Sequence, residues 1–360
     1  MRKMCGEAQY VQQQRFAQLD ISTFCRTVPF DAGGIADTFV VSFASEADVS
    51  GVSLANSFNT VLIFLFTALA SGGAVIISQY TGSKNKPKAA EAAGQLLMIS
   101  VVISAFLTAL ILLFSHQLLS LLFGKIEPAV MKASETYLII TTWSLPALAV
   151  YDAGAALCRS IGKVRATMYI STVANIANIV GNCIGVFALN LGAAGVAYPS
   201  LLCRLISAVA VTLYCFREKN EIRYHIGDIF CWDGNLLGKI MHIALPNGVE
   251  SGIHHLVKVA LSSMVALFGT YQIAANGLAQ SIWSLASIMG LAMAPAYTTV
   301  IDQCMGAQDI ESANFYFRKL NRHFRGSKIA GDLAGADKQY LQRAGISVCR
   351  SAGKRPAGGR

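Results

Sequence analysis

VSGVSLANSFNTVLIFLFTALASGGAVIISQYTGS, residues 49–83, contains no Asp, Glu, Lys or Arg. A helix needs only about 20 residues to cross the hydrocarbon core of a bilayer, so this stretch is longer than one span. Three more uncharged stretches follow, at 92–124, 166–203 and 259–301. Across all 360 residues, apolar types make up 54% and charged types 14%, with a mean hydropathy of +0.50. A soluble domain carries roughly a quarter charged residues. Here there is too little charge to cover so much apolar surface. The same arithmetic excludes a disordered chain, collagen and a coiled coil. The expected fold class is all-α, a polytopic helical membrane protein whose first partner is the lipid bilayer.

The net charge of +9 is not a nucleic-acid signal, because residues 322–360 hold nine Lys or Arg against two Asp. The remainder of the chain is close to neutral, and no nucleic-acid partner is expected. Nine cysteines are scattered with no CxxC pair, which points to small packing residues rather than a metal or disulfide framework. Residues 1–26 have no apolar core of the kind a signal peptide needs. No HExxH, GxSxG, P-loop or GxGxxG occurs, and the chain does not read as an enzyme.

Eight spans are expected, at 27–45, 52–79, 92–114, 137–157, 166–187, 194–215, 240–268 and 272–300. A short apolar piece, Leu118–Phe123, is expected at the membrane interface. Basic residues follow every second span: Lys84, Lys86 and Lys88, then Arg159, Lys163 and Arg165, then Arg217, Lys219 and Arg223, then Arg318 and Lys319. Of the intervening loops, 189–195 and 269–272 carry no charge, the first carries Glu46 and Asp48, and the one after span three is mixed, with Lys125, Glu127 and Lys132. Positive loops stay on the cytoplasmic side, so the basic set is placed there, in the plasma (inner) membrane. Domain boundaries follow: a poorly structured segment 1–26, a six-helix bundle 27–216, a cytoplasmic linker 217–238, two further helices 239–321, and a basic tail 322–360.

A shift of 224 residues aligns span two with span eight without gaps. The matches include Leu54 with Leu278, Ala68 with Ala292, Gln79 with Gln303 and Gly82 with Gly306. Six spans separate the copies, so both run the same way through the membrane. Parallel halves of this kind are an architecture of secondary transporters. The chain therefore reads as a six-helix N-terminal bundle plus the first two helices of a second six-helix repeat.

Polar residues inside spans are functional candidates. Asp37 lies in span one, where an ionised carboxylate costs about 3 kcal/mol and needs a partner or a proton; a solvated Asp37 on an uninserted span is the other reading. Asn178 and Asn182 share one face of span five at i, i+4, where they either bind a cation or hydroxylated substrate, or hydrogen-bond helices together. Glu250, His254 and Lys258 form a stripe at i, i+4, i+8 on span seven, with His255 beside it. They line a substrate or proton path, or satisfy one another locally. Gln280 and Trp283 in span eight are placed on the same pathway, and aromatic residues such as Trp143, Tyr151 and Tyr297 suit aromatic cations. Asp152 and Arg204 are a candidate pair across helices. Pro146, Pro199 and Pro295 permit kinks. Gly181 and Gly185, with Gly192 and Gly195, allow close helix approach.

Several stretches resemble the MATE (multidrug and toxic compound extrusion) transporters. ADTFVVS (36–42), SEADVSGVSLANSFN (45–59) and ASGGAVIISQYTGSKNKPKAAEA (70–92) resemble their first two spans. LCRSIGKVRATMYISTVANIANIVGNCIGVFALNLGAAGVAYPSLLCRLIS (157–207) is similar to the loop after span four and spans five and six. ALPNGVESG (244–252) and FGTYQIAANGLAQSIWSLASIMGLAMAPA (268–296) are similar to spans seven and eight. The resemblance runs over roughly 34–321. It implies two six-helix bundles, alternating access, and export of small cationic amphipathic compounds coupled to inward Na⁺ or H⁺, with no other cofactor. It also implies a coupling-cation role for Asp37 and matches Asn178, Asn182 and Ser200 to positions of the same ion pocket, a packing serine being the other reading of Ser200. The family's acidic residue at the second Asn position is here the neutral Asn182, which bears on ion identity.

Both ends depart from the family pattern. Gln12–Gln14, Arg15, Asp20 and Arg26 occupy the approach to Asp37. At the other end, ESANFYFRKLNR (311–322) leads toward a ninth helix, and no apolar run follows it. The expectation is a truncated or frameshifted copy that does not transport alone, because its central cavity lacks a second wall. A basic tail touching anionic lipid is the other reading of 322–360. Two rival functions are carried forward: a lipid-linked saccharide flippase of the same superfamily, and a non-transporting fragment that self-associates to restore a bundle.

Overall fold

Helix α1 (Glu46–Gly82) organises the molecule. Ser45 caps its N-terminus by accepting from the Asp48 amide at 3.1 Å. Its 37 residues extend about 55 Å, enough to project beyond a membrane core. α1 packs against α2 (Lys86–Phe123), α3 (Pro128–Thr142), α4 (Leu145–Ser160) and α7 (Gly234–Ala266). The computed structural model describes residues 40, 45–123, 128–217, 222, 224, 227, 232–266 and 298–326. All regular elements among these described residues are helical.

Small residues set the spacing, as expected where apolar burial alone cannot drive one membrane helix onto another. A Cβ on Gly51 would sit 2.7 Å from that of Ala133, and one on Gly72 would sit 2.8 Å from that of Ala244. Ser134 Oγ donates to the Gly51 carbonyl at 3.0 Å across the first of these contacts. Two buried clusters follow along α1. One is alanine-rich and gathers Ile77, Ala89, Ala93, Leu96, Ala153, Leu157 and Ile240. The other gathers Val52, Phe66, Leu138, Leu145 and Val196.

Several expected boundaries change. Leu118–Phe123 follows a kink at Phe114 (φ −119°, ψ 18°), beyond which helix runs on to Phe123 as the short last part of α2. The span expected at 137–157 is two helices, α3 and α4, bent by 47°. Pro146 is the physical reason. It has no N–H for the Thr142 carbonyl, and its ring would collide with that carbonyl in a continuous helix. The chain breaks at Trp143–Ser144, and Thr108 Oγ1 donates to the Thr142 carbonyl at 3.5 Å. α5 (Val164–Cys183) runs into a π-helical turn, Ile184–Ala188, and α6 (Ala193–Cys215) follows. α7 begins at Gly234, inside the stretch expected as linker, and α8 (Ile310–Gly326) runs past residue 321.

Among the described residues, four helices are long and apolar enough to cross a membrane, or five if the bent α3–α4 pair is one span. The 33-residue α7 covers most of the seventh expected span. Most of span one (27–45) and of span eight (272–300) lies outside the described residues.

The 224-residue repeat is present in three dimensions. Residues 298–306 are helical and cross the end of α1. A Cβ on Gly82 would run into the Gln303 carbonyl, and a Cβ on Gly306 would run into the Gln79 carbonyl. Each copy of Gln-x-x-Gly therefore receives the other, a reciprocal contact of the kind that a two-fold relation between the copies produces. The turns beyond also match bond for bond. Ser83 N donates to Gln79 O and Ala307 N to Gln303 O, both at 3.0 Å. Asn85 N donates to Tyr80 O and Asp309 N to Cys304 O, again both at 3.0 Å. Lys84 and Gln308 take positive φ values of 59° and 58°. Asn85 then caps α2 by accepting from Lys88 N at 3.3 Å, and Asp309 caps α8 by accepting from Ser312 N at 3.0 Å. Hydrogen bonds from Ser312 hold the Asp309 carboxyl below the usual range.

Candidate functional site

The α5–α6 crossing brings three of the expected residues together. Gly181 faces Pro199, with a Cβ contact of 2.7 Å, and Gly185 and Gly195 meet backbone to backbone. Side chains at these positions would hold the helices apart. With them absent, Asn178 Nδ2 reaches Ser200 Oγ at 2.9 Å, and Asn182 Nδ2 reaches Asn178 Oδ1 at 3.3 Å. All three residues are buried, Asn182 completely. The next turn is π-helical, with Leu189 N donating to Ile184 O at 3.1 Å. Such single turns recur at functional sites.

A second contact fixes this corner to α1. Asp48 Oδ1 accepts from Ala193 N at the start of α6 at 3.3 Å, and Ser45 Oγ donates to Asp48 Oδ2 at 2.8 Å. A carboxylate at a helix N-terminus is favoured by the helix dipole. Gly192 has φ +56° and lies directly against this carboxylate, so an L side chain is disfavoured there twice over.

The Asn178–Asn182–Ser200 group offers neutral amide and hydroxyl oxygens. Neutral oxygens suit a hard cation as ligands, but they supply no charge to balance it. That charge has to come from a carboxylate. Asp37, assigned this part by resemblance, lies outside the described residues, as do Gln280 and Trp283. Among the described residues no cluster of His, Cys, Asp and Glu could hold a metal ion.

The α7 stripe is placed in part. Glu250 is half-buried and His254 is exposed, whereas His255 packs its ring on Phe64 of α1 with centroids 3.9 Å apart. It is thus His255, beside the stripe in sequence, that meets α1. Lys258 lies on the same helix, and its side chain is outside the described residues. Trp143 is exposed at the α3–α4 break and Tyr151 is buried. An apolar cavity of about 260 Å³ lies between α1 and α2, lined by residues including Phe58, Leu62, Ile111 and Phe114. None of the expected site residues lines it.

The α3–α4 break holds a polar cluster of which only Arg204 is among the residues expected from the sequence. Asn59 Nδ2 donates to Thr141 Oγ1 at 2.9 Å, and Arg204 Nη1 donates to Ser144 Oγ at 2.8 Å. Arg204, expected opposite Asp152, is anchored at the break. Two signals in the sequence point to this cluster: an Asn in the middle of an uncharged run, and a Ser two residues before an intramembrane Pro.

Residues 30–184 and 246–320 match the family model described as MatE. The "Uncharacterized transporter YisQ" of Bacillus subtilis (strain 168) is 25% identical over 284 residues, 78% of this chain and 62% of the relative. The "Probable multidrug resistance protein YoeA" of the same organism is 23% identical over 73% of this chain and 58% of the relative. The "FAD transporter" of Shewanella oneidensis is 24% identical over 76% of this chain and 61% of the relative. The chain thus spans about three fifths of the length of these relatives. Among solved structures, "MATE in the bent conformation" superposes with a TM-score of 0.78 at 20% identity, covering 85% of this chain and 68% of that one. At that identity the likeness is one of fold.

Proposed function

The chain belongs to the MatE family, a family of transporters and not of enzymes, and on that premise we propose that it forms the ion-coupling bundle of a cation-coupled exporter. The cargo is a small cationic amphipathic compound, and inward Na⁺ or H⁺ supplies the energy. The single observation that carries this reading is the buried Asn182–Asn178–Ser200 chain at the α5–α6 crossing. Buried polar groups within a bundle are expensive and mark ion or substrate paths. Asp37 completes the site as the charged ligand. The basic loops lie on the cytoplasmic side of the plasma membrane, and Glu250, His254, Lys258, Gln280 and Trp283 line the cargo path.

Arg204, fixed inside the bundle on Ser144, favours a second reading in which the cargo is anionic, such as a lipid-linked saccharide. One experiment separates the two. The purified chain in nanodiscs is titrated with ethidium and, separately, with FAD, each at high and low Na⁺ and at pH 6 and 8. Antiport requires that cation and cargo weaken each other's binding, since such coupling is reciprocal. The exporter reading expects ethidium affinity to fall severalfold on adding Na⁺ or on acidification, and to lose that dependence in Asp37→Asn. Binding of FAD and not ethidium supports the anionic reading. Ethidium binding indifferent to both cations would overturn the coupling.

A further inference from the structure

The repeat sets one residue apart. Position 78 in the first copy is Ser78, and its counterpart 224 residues later is Asp302. Both are buried, Ser78 completely and Asp302 to within 3%. Neither Ser78 Oγ nor Asp302 Oδ2 has a hydrogen-bond partner. For a hydroxyl this is a small cost. For an ionised carboxylate it is a large one, and the group is better off holding a proton. Asp302 lies beyond the 272–300 span, one residue before the Gln303 that crosses α1.

Its surroundings form a seal. Gly82 and Gly306 bring the two repeat copies into backbone contact. Gln303 Nε2 donates to the Ser160 carbonyl at the end of α4 at 2.7 Å, and Ser160 Oγ donates to the Ala74 carbonyl of α1 at 3.0 Å. Val300 and Cys304 pack with Ala313 and Tyr316 of α8 on the other side. The charged or ionisable groups at these ends of the elements are Lys84 after α1, Arg159 and Lys163 at the end of α4, Asp309 and Glu311 at the start of α8, and Arg318, Lys319, Arg322, His323 and Arg325 further along α8. The other titratable groups there are Tyr80, Cys158, Cys304 and Tyr316. None of them accounts for the state of Asp302: burial alone raises its pKa, to about 8.

We propose that the Asp302 carboxyl is a proton-binding site that holds the Gln-x-x-Gly crossing shut when protonated and releases its proton to water when the crossing opens. The O–H bond that breaks leaves its electron pair on the carboxylate, and the proton passes to solvent on the basic-loop face. The sign follows from linkage. The closed state holds the proton more tightly than an open, solvated carboxyl at its ordinary pKa near 4. The closed state is therefore fully favoured below about pH 4. Its advantage falls about tenfold per pH unit up to about pH 8, and then levels off. Proton binding stands on burial and position; only its use in transport rests on the exporter reading.

Two measurements on the full chain test this without any transport assay. The first is the infrared band of protonated carboxyls at pH 6.5, where exposed carboxylates are ionised. Asp302→Asn is expected to remove a component of that band that titrates away near pH 8. The second uses Cys304, buried on the same segment, as the sole remaining cysteine. Its rate of labelling by a membrane-impermeant maleimide, divided by the rate in the Asp302→Asn background, cancels the ionisation of the thiol itself. That ratio is expected to rise about tenfold from pH 6 to pH 7 and to flatten above about pH 8. Asp302→Ser, which makes the two repeats alike, serves as a second neutral variant and should behave as Asp302→Asn does. An unchanged carboxyl band, or a labelling ratio flat from pH 6 to pH 8 against both variants, overturns the proposal.

Discussion

Ser200→Ala removes the acceptor for Asn178 Nδ2 in a buried setting. Hydrogen bonds between membrane helices average about 0.6 kcal/mol and reach about 1.7 kcal/mol, so the loss belongs in that range. Thermal unfolding in detergent should show a lowered Tm for Ser200→Ala and a smaller change for Ser200→Thr, which keeps the hydroxyl. Equal losses in both would mean that packing, and not the bond, is what matters there. Asn178 and Asn182 are legible in the sequence because polar residues stand out in an apolar span and the i, i+4 spacing fixes a shared face; Ser200 is reached only through the family resemblance. The bond from Asn59 to Thr141 is not legible. It depends on how two helices, with partners 82 residues apart, slide past each other, and no local pattern records that register.

Between elements, contact is governed by glycine where backbones touch. Gly82→Ala and Gly306→Ala each push a methyl into a carbonyl of the opposite repeat. Overpacking of this kind costs about 1–3 kcal/mol. Gly252, on α7, is the control, because a Cβ there would have nothing within 4 Å; the better helix propensity of alanine should leave stability equal or improved. Melting curves of the three variants check this, and a Gly306→Ala protein as stable as Gly252→Ala would contradict the close crossing. Matches in the Gln-x-x-Gly motif make the repeat visible in the sequence. Across 83–88 no identity remains, yet the hydrogen bonds and the positive φ at Lys84 and Gln308 are the same. Turn geometry tolerates many residue types, so the structure keeps a symmetry the residues have lost. The α3–α4 break is the opposite case: Pro146 signals a kink in the sequence, but apolar patterning alone draws one span through it.

For the molecule as a whole, the proposed orientation puts the basic loops on the cytoplasmic side. Ser83 and Asn190 are exposed at opposite ends of the bundle's helices. In right-side-out vesicles of a cysteine-free background, an impermeant maleimide should label Asn190→Cys at once and Ser83→Cys only after permeabilisation. The reverse order would invert the assigned orientation. The helical class and most spans are legible from composition and run length. The pairing of α1 with four other helices is not, because small residues permit close approach without naming the partner.

The central measurement is the effect of the coupling cation on the stability of the purified chain. A ligand that binds only the folded state, present at about a hundred times its Kd, stabilises it by about 2.7 kcal/mol. In an Asp302→Asn background, which removes the acid response of the Gln-x-x-Gly crossing, Na⁺ or mild acidification is expected to raise the Tm of the chain, and adding Asp37→Asn or Asn178→Leu is expected to remove most of that rise. A Tm indifferent to both cations, or a rise that survives both substitutions, would contradict a cation site at the α5–α6 crossing.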